Sequence, residues 1–269
     1  MKGNPKIIHR YNVASEFNAE QSIAMRIQFL EEYLMDHPQC NGYVLGISGG
    51  IDSAVAAALL KQATCNVNKK LLAMLTPYHN KNMQCMLDVV NALQIDYVVR
   101  DIGDPVDLCI KQYYATPPTK LQIGNRMARQ RMIEWYDVAL QEKLIVVGTD
   151  HATENIVGYF TKYGDGGVDI NPLMTLDKRQ IMEIAKHAWP FGRIPEHIIA
   201  RVPSADLWDG QTDEDELGIS YDAISDYLEN KDLDMDVVCK IETLYNQSMH
   251  KRDRKSTRQN SSHWKQSRM

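Results

Sequence analysis

Long apolar runs are missing from this chain. Nothing in its 269 residues approaches the roughly 20 consecutive apolar positions of a bilayer-crossing helix, so no membrane partner is expected. Cysteine is sparse and unpatterned. The five (Cys40, Cys65, Cys85, Cys109, Cys239) are odd in number and none forms a CxxC pair. Neither a disulfide framework nor a zinc ribbon is expected, and a reducing cytoplasm is the expected setting. Residues 1–11 are polar and basic and lack the apolar centre of a signal peptide. There is no internal repeat. There is also no GxxxxGKS/T segment, which excludes a Walker A phosphate loop.

The body of the chain lacks positive charge. From His250 onward, seven Lys/Arg against one acid give +6; taking that from the net −5 leaves −11 for everything before it. An acidic body argues against a nucleic-acid groove, and no nucleic-acid partner is expected. The basic stretch 253–269 is expected to be solvated and disordered, or foreign to a single domain spanning 1–252.

What is present is ordinary in amount. Hydrophobic residues make up 44% and charged residues 24%, enough at this length to bury a core. Apolar residues Ile23, Ile27, Leu30 and Leu34 predict an amphipathic helix over 15–35 that serves as core or dimer contact. Short apolar runs at 43–47, 71–75, 97–99 and 144–147 predict strands. Helices are expected over 53–62, 82–93, 103–114 and 125–140, with a break at 116–119. This alternation implies a parallel sheet covered on both faces, with ligands at the carboxyl ends of its strands. Further on, Asp177 and Gln180 predict a reciprocally capped helix over 178–187. Residues 200–217 are expected to form a mobile surface loop, and helices to follow over 221–228 and 236–249.

Two motifs carry chemistry. The first is Gly46-Ile47-Ser48-Gly49-Gly50-Ile51-Asp52-Ser53, between a strand and a helix. Small residues at such a turn let backbone N–H groups close around an anion, and the helix N-terminus adds about half a positive charge. Gly49 and Gly50 permit positive φ and close approach of phosphate oxygens, while Ser48 and Ser53 bring hydroxyls. Asp52 would repel a phosphate, so its expected task is to hold Mg²⁺ against the phosphates. The plain alternative is a glycine-rich turn with Ser53 or Asp52 as helix cap.

This SGGxDS loop resembles the pyrophosphate-binding loop of N-type ATP pyrophosphatases. That group cleaves ATP between its α- and β-phosphates and includes NAD, GMP and asparagine synthetases and tRNA-thiolating enzymes. The loop alone does not choose among them; the second motif does. Gly148-Thr149-Asp150-His151-Ala152-Thr153-Glu154-Asn155, running into Gly158-Tyr159-Phe160-Thr161-Lys162-Tyr163-Gly164-Asp165-Gly166-Gly167-Val168-Asp169, is similar to a segment of NAD synthetases. Leu176-Asp177-Lys178-Arg179-Gln180, Val202-Pro203-Ser204-Ala205-Asp206-Leu207 and His250-Lys251-Arg252 extend the likeness over roughly 15–252.

The resemblance implies a doubly wound α/β fold, Rossmann-like and adenine nucleotide alpha hydrolase-like. It implies that ATP activates the carboxylate of deamido-NAD (nicotinic acid adenine dinucleotide), that ammonia then displaces AMP, and that the enzyme is a homodimer. ATP contacts are implied for Thr149, Lys178 and Ser204 besides the 46–53 loop, and Mg²⁺ contacts for Asp52 and Glu154. Deamido-NAD contacts are implied for Arg129, Lys162, Asp169, His250 and Lys251. No covalent nucleophile is implied. Asp52 and Glu154 are expected to be accessible enough for alanine at either to leave the fold intact. His151 reads as a helix cap or supporting residue without a catalytic role.

The chain departs from the family in three places. Leu75-Thr76 stands where the family often has Arg, 189–194 is a small insertion, and 253–269 does not match. Another adenylating enzyme would want catalytic cysteines and a basic body. A non-catalytic nucleotide-binding regulator would need no Mg²⁺ pair.

Overall fold

Four apolar runs pair into one parallel sheet. They are β1 (Gly42–Gly46), β2 (Lys70–Leu75), β3 (Asp96–Val99) and β4 (Leu144–Val147), in the order β3-β2-β1-β4. Around them run α1 (Pro5–Tyr11), α2 (Ala19–Asp36), α3 (Ile51–Asn66), α4 (Met83–Ala92), α5 (Gly103–Tyr113) and α6 (Lys120–Glu142). After β4 come α7 (Ala152–Val157), α8 (Lys178–Ala185), α9 (Glu196–Ile199), α10 (Asp213–Leu217), α11 (Tyr221–Leu228), α12 (Met235–Gln247) and α13 (Met249–Arg252). The computed structural model describes residues 1–113, 115–202 and 212–252. The basic stretch 253–269 and Ser204 lie outside the described residues. Among the described residues, no helix is long and apolar enough to cross a membrane.

Alternation along the strands sorts their side chains to two faces. Tyr43, Leu45, Leu71, Ala73, Leu75, Ile145 and Val147 join residues of α2, α3, α4 and α8 in the larger core. Val44, Leu72, Met74, Leu144 and Val146 pack instead on Trp135, Val138 and Ala139 of α6. The sheet is thus doubly wound, as its alternating pattern implies. The chain leaves β1 for α3 on one face and reaches β4 from α6 on the other. Connections diverge between the carboxyl ends of β1 and β4, which is where such sheets open a crevice. α3 is buried nearly all round, and its Ala54, Ala56, Ala57 and Ala58 are fully covered between the sheet and α2.

Some elements depart from the expectation. α6 begins at Lys120, ahead of the predicted 125, because Thr119 and Gln122 form a capping box just after Pro117 and Pro118. Residues 1–11 are more than a polar start: Asn4 caps α1, and Ile7 and Tyr11 are buried against α7, α11 and α12. Tyr11 closes that contact by donating to Asn155 Oδ1 at 3.1 Å. Residues 189–194 form a tight turn with paired Trp189 and Gly192 backbones, and Trp189 and Ile194 enter the core. The end of the expected 200–217 loop is helical. Thr212 caps α10, and the buried Asp213 accepts the Tyr221 hydroxyl at 2.9 Å.

Gly42 opens β1 at φ 150° and a Cβ there would meet the Lys70 carbonyl oxygen of β2. Gly42→Ala is expected to cost about 2–4 kcal/mol from strain plus overpacking. Urea unfolding would measure this, and a loss under about 1 kcal/mol would mean that the strand edge relaxes around a methyl.

Candidate active site

The crevice between β1 and β4 holds a cavity of about 540 Å³. Its floor is the turn from β1 into α3. Gly49 adopts φ 79°, and a Cβ there would stand 2.6 Å from Cys85 Cβ, so only glycine suits the position. The two serine hydroxyls hold the turn. Ser53 Oγ donates to Gly50 O at 3.0 Å and lies 3.1 Å from Ser48 Oγ, which accepts the Gly50 N–H at 3.2 Å. Gly46, Ile47, Ser48, Gly50, Ile51, Asp52 and Ser53 line the cavity, as do Thr149, Glu154 and Lys178.

Three helix starts meet there. Asp52 lies in the first turn of α3 and Glu154 in that of α7, while Lys178 is the first residue of α8. Helix N-termini carry partial positive charge and favour anions. α8 is placed by its capping box, Asp177 with Gln180, and by the Lys178 N–H, which donates to Thr153 Oγ1 at 3.0 Å. Lys178 Nζ then donates to both Asp52 carboxylate oxygens at 2.8 Å. Burial alone would push Asp52 up. Lys178 and His151 outweigh it and hold Asp52 below the usual carboxylate range. Burial likewise pulls Lys178 down, but Asp52 and Glu154 keep it above the usual lysine value. Asp52 is 20% exposed and Glu154 18%. Asp52 is therefore not a free surface acid, contrary to expectation, and removing it would strand a buried lysine.

His151 precedes α7 and is fully buried. Its Nε2 lies 3.6 Å from Asp52 Oδ1 and 3.5 Å from Glu154 Oε2. Asp52, His151 and Glu154 each offer one ligand atom, all within 4.8 Å of one another, so among the described residues this group could hold a cation. A helix-cap reading of His151 misses this, because its neighbour Asp52 is 99 residues away in sequence.

A second cavity of about 350 Å³ shares Asp150, Phe160 and Lys251 with the first. Asp150 is a buried carboxyl and Asp165 a half-buried one. Burial and neighbouring acids push Asp150 well up, and burial pushes Asp165 up to about 6. Of the expected dinucleotide residues, Asp169 and Lys251 line the second cavity. Asp169 accepts the Tyr136 hydroxyl at 2.9 Å and the Val146 N–H at 2.8 Å. Lys251 Nζ donates to the Gly158 and Phe160 carbonyls, both at 2.7 Å. Arg129, Lys162 and His250 line neither cavity. They form a chain beside them: Lys162 Nζ donates to His250 O at 2.8 Å and Arg129 Nε to Lys162 O at 3.3 Å.

Sequence reasoning missed several lining residues. Arg201 lines the cavity and donates to Gly49 O at 3.1 Å. Gly124, Ala128, Arg131 and Trp135 line it from α6. Their spacing of four, three and four is a helical stripe that the sequence displays. It marks Arg131, rather than Arg129, as the cavity-facing arginine. Arg131 Nε donates to Thr76 O at 3.1 Å, so a guanidinium does reach the end of β2 although Leu75-Thr76 supplies none.

Known proteins resemble this chain in sequence and fold. The NAD synthase family matches residues 22–255. An NH(3)-dependent NAD(+) synthetase of Escherichia coli is 39% identical over 261 residues, 92% of this chain and 94% of that protein. That of Lactobacillus johnsonii is 37% identical over 92% of this chain and 93% of its own. Among solved structures, NMN synthetase from Francisella tularensis superimposes with a TM-score of 0.80 at 36% identity, covering 90% of this chain and 99% of that one. NAD+ synthetase from Burkholderia pseudomallei gives 0.76 at 31%, covering 91% and 94%. With the family profile spanning most of its length and both synthetases covered nearly end to end, the chain belongs to the NAD synthase family.

Proposed function

We propose that this protein is a ligase that amidates deamido-NAD with ammonia, converting ATP to AMP and pyrophosphate. One observation carries the reading. Ser48 and Gly50 of the turn, Asp52, Glu154 and Lys178 face one cavity whose wall is shared with a second. ATP is assigned to the first cavity, against the 46–53 turn, Thr149 and Lys178; Ser204, outside the described residues, is a further ATP contact on the family resemblance alone. Deamido-NAD is assigned to the second, with Asp169 and Lys251, and with Arg129, Lys162 and His250 at its approach. The substrate carboxylate attacks the α-phosphate at the shared wall, and pyrophosphate leaves into the turn. Backbone amides and Lys178 stabilise the charge that develops on the leaving group. Ammonia then attacks the acyl carbon and AMP departs. The chain's contribution is positioning and electrostatics.

The Asp52–Glu154 group fits Mg²⁺, which favours carboxylate and phosphate oxygens. Bound there, Mg²⁺ would supply Lewis-acid charge at the phosphates. A homodimer is also proposed, supported by exposed Ile133 and Leu140 on α6. A cytoplasmic setting is proposed as well, in keeping with five free cysteines.

A second reading, nicotinate mononucleotide as substrate, is favoured by the match to the Francisella NMN synthetase. The placement of Arg129, Lys162 and His250 outside both cavities also favours it. One assay tests the whole scheme: ATP with either nucleotide, and ammonium or glutamine with ammonia scavenged. The expected result is one AMP and one pyrophosphate per amide formed, deamido-NAD the better substrate by kcat/KM, and glutamine ineffective. ADP as product would overturn the adenylation, and full activity with glutamine would overturn the donor. A mononucleotide preference would move the substrate assignment to the second reading.

A further inference from the structure

His151 has no task in the reaction as proposed beyond its charge interaction with Asp52. The ring is 0% exposed, and neither ring nitrogen has a hydrogen-bond partner. Buried polar atoms in folded proteins are almost always paired, so two orphaned nitrogens on one ring demand a cause. Capping is not the cause. His151 stands at the N-cap of α7 with extended backbone, but its side chain makes no capping bond.

Nε2 faces two carboxylates at 3.6 Å (Asp52 Oδ1) and 3.5 Å (Glu154 Oε2), too long for hydrogen bonds. Asp52, His151 and Glu154 offer ligand atoms that all lie within 4.8 Å of one another. With bonds of about 2.1 Å, the ligands of an octahedral cation stand about 3 Å apart when adjacent and about 4.2 Å when opposite; the Nε2 separations fall between the two, so an ion would draw the three groups in by a few tenths of an ångström. The edge of Tyr221 rests on the ring at 76°, centroids 6.1 Å apart, and holds its orientation.

We propose that His151 is a third metal ligand, through Nε2, and that this two-carboxylate, one-imidazole site takes Mn²⁺ in preference to Mg²⁺. The proposal rests on the reading of Asp52 and Glu154 as metal ligands. Mg²⁺ keeps to oxygen donors and holds its waters, whereas imidazole raises affinity for first-row transition ions. Mn²⁺ accepts both donor types. Lys178 competes for Asp52, so the site fills most tightly when a nucleotide phosphate draws Lys178 away.

The test is Mn²⁺ binding followed by electron paramagnetic resonance, with and without a non-hydrolysable ATP analogue. Wild type, His151→Ala, His151→Gln and Asp52→Ala are compared, with thermal unfolding of each. Pulsed spectra of wild type are expected to show coupling to an imidazole ¹⁴N, lost in both His151 variants. The Mn²⁺ dissociation constant should rise at least ~10-fold in His151→Ala, while Mg²⁺ competition shifts much less. The ¹⁴N signal is read on unmutated protein, so a variant that fails to fold does not blunt the test. Bound Mn²⁺ without ¹⁴N coupling, released by Asp52→Ala, would overturn the role of His151 and leave the carboxylate site standing. Mn²⁺ binding that Asp52→Ala leaves unchanged would overturn both.

Discussion

Asp52→Ala and Glu154→Ala are each expected to lower kcat by at least ~100-fold, the scale for losing electrostatic stabilisation of a leaving group. The two variants should part company in stability. Asp52 accepts both hydrogen bonds of a lysine whose side chain is 6% exposed, so its removal leaves a nearly buried charge unpaired. Breaking a buried pair costs about 3–5 kcal/mol, and partial exposure of Asp52 brings the expectation to about 2–3 kcal/mol. Glu154 takes no such bond from Lys178, so its alanine variant should unfold close to wild type. Steady-state turnover at saturating ATP, Mg²⁺ and ammonia, with thermal unfolding alongside, separates the effects. Turnover near wild type in either variant would remove that residue from the metal site.

Lys178→Met should be nearly as damaging to turnover, again by ~100-fold or more. Methionine keeps the length and loses the charge. Two consequences follow from one change. Asp52 loses its partner, and the phosphates lose the one cation that α8 aims into the cavity. The double variant Lys178→Met with Asp52→Asn removes both charges and should recover stability without recovering activity. The pair's own charge state makes no demand on pH near neutrality. Asp52 is held below its ordinary value, so its contribution is present above the carboxylate range and is lost as pH falls through its lowered value. Lys178 is held above its ordinary value, so its contribution is lost only as pH rises past that raised value. A Lys178→Met enzyme within about tenfold of wild-type kcat would place Lys178 in a purely structural role.

Much of the framework was legible because its causes are local. Short apolar runs gave the strands, and an Asp177-to-Gln180 spacing gave the cap of α8. Gly49 and Gly50 between a strand and a helix marked the tight turn at the cavity floor. Each of these signals is written within a few residues, over which backbone hydrogen bonds and side-chain alternation operate. Where a cap was overlooked, as with Thr119 and Gln122, the helix began earlier than predicted, though the signal was in the sequence.

Other features depended on packing between distant segments. Lys178 meets Asp52 across 126 residues because α8 packs on α3. His151 joins that pair because burying α7 against α11 and α12 turns its ring inward. α1 orders itself by placing Ile7 and Tyr11 on that same cluster; Asn4-Pro5 and the four-residue apolar spacing announce a helix, but not the distant elements on which it docks. Lysine against two acids within an acidic chain is invisible to composition. Its strength comes from desolvation, and desolvation exists only once distant segments have closed over the site.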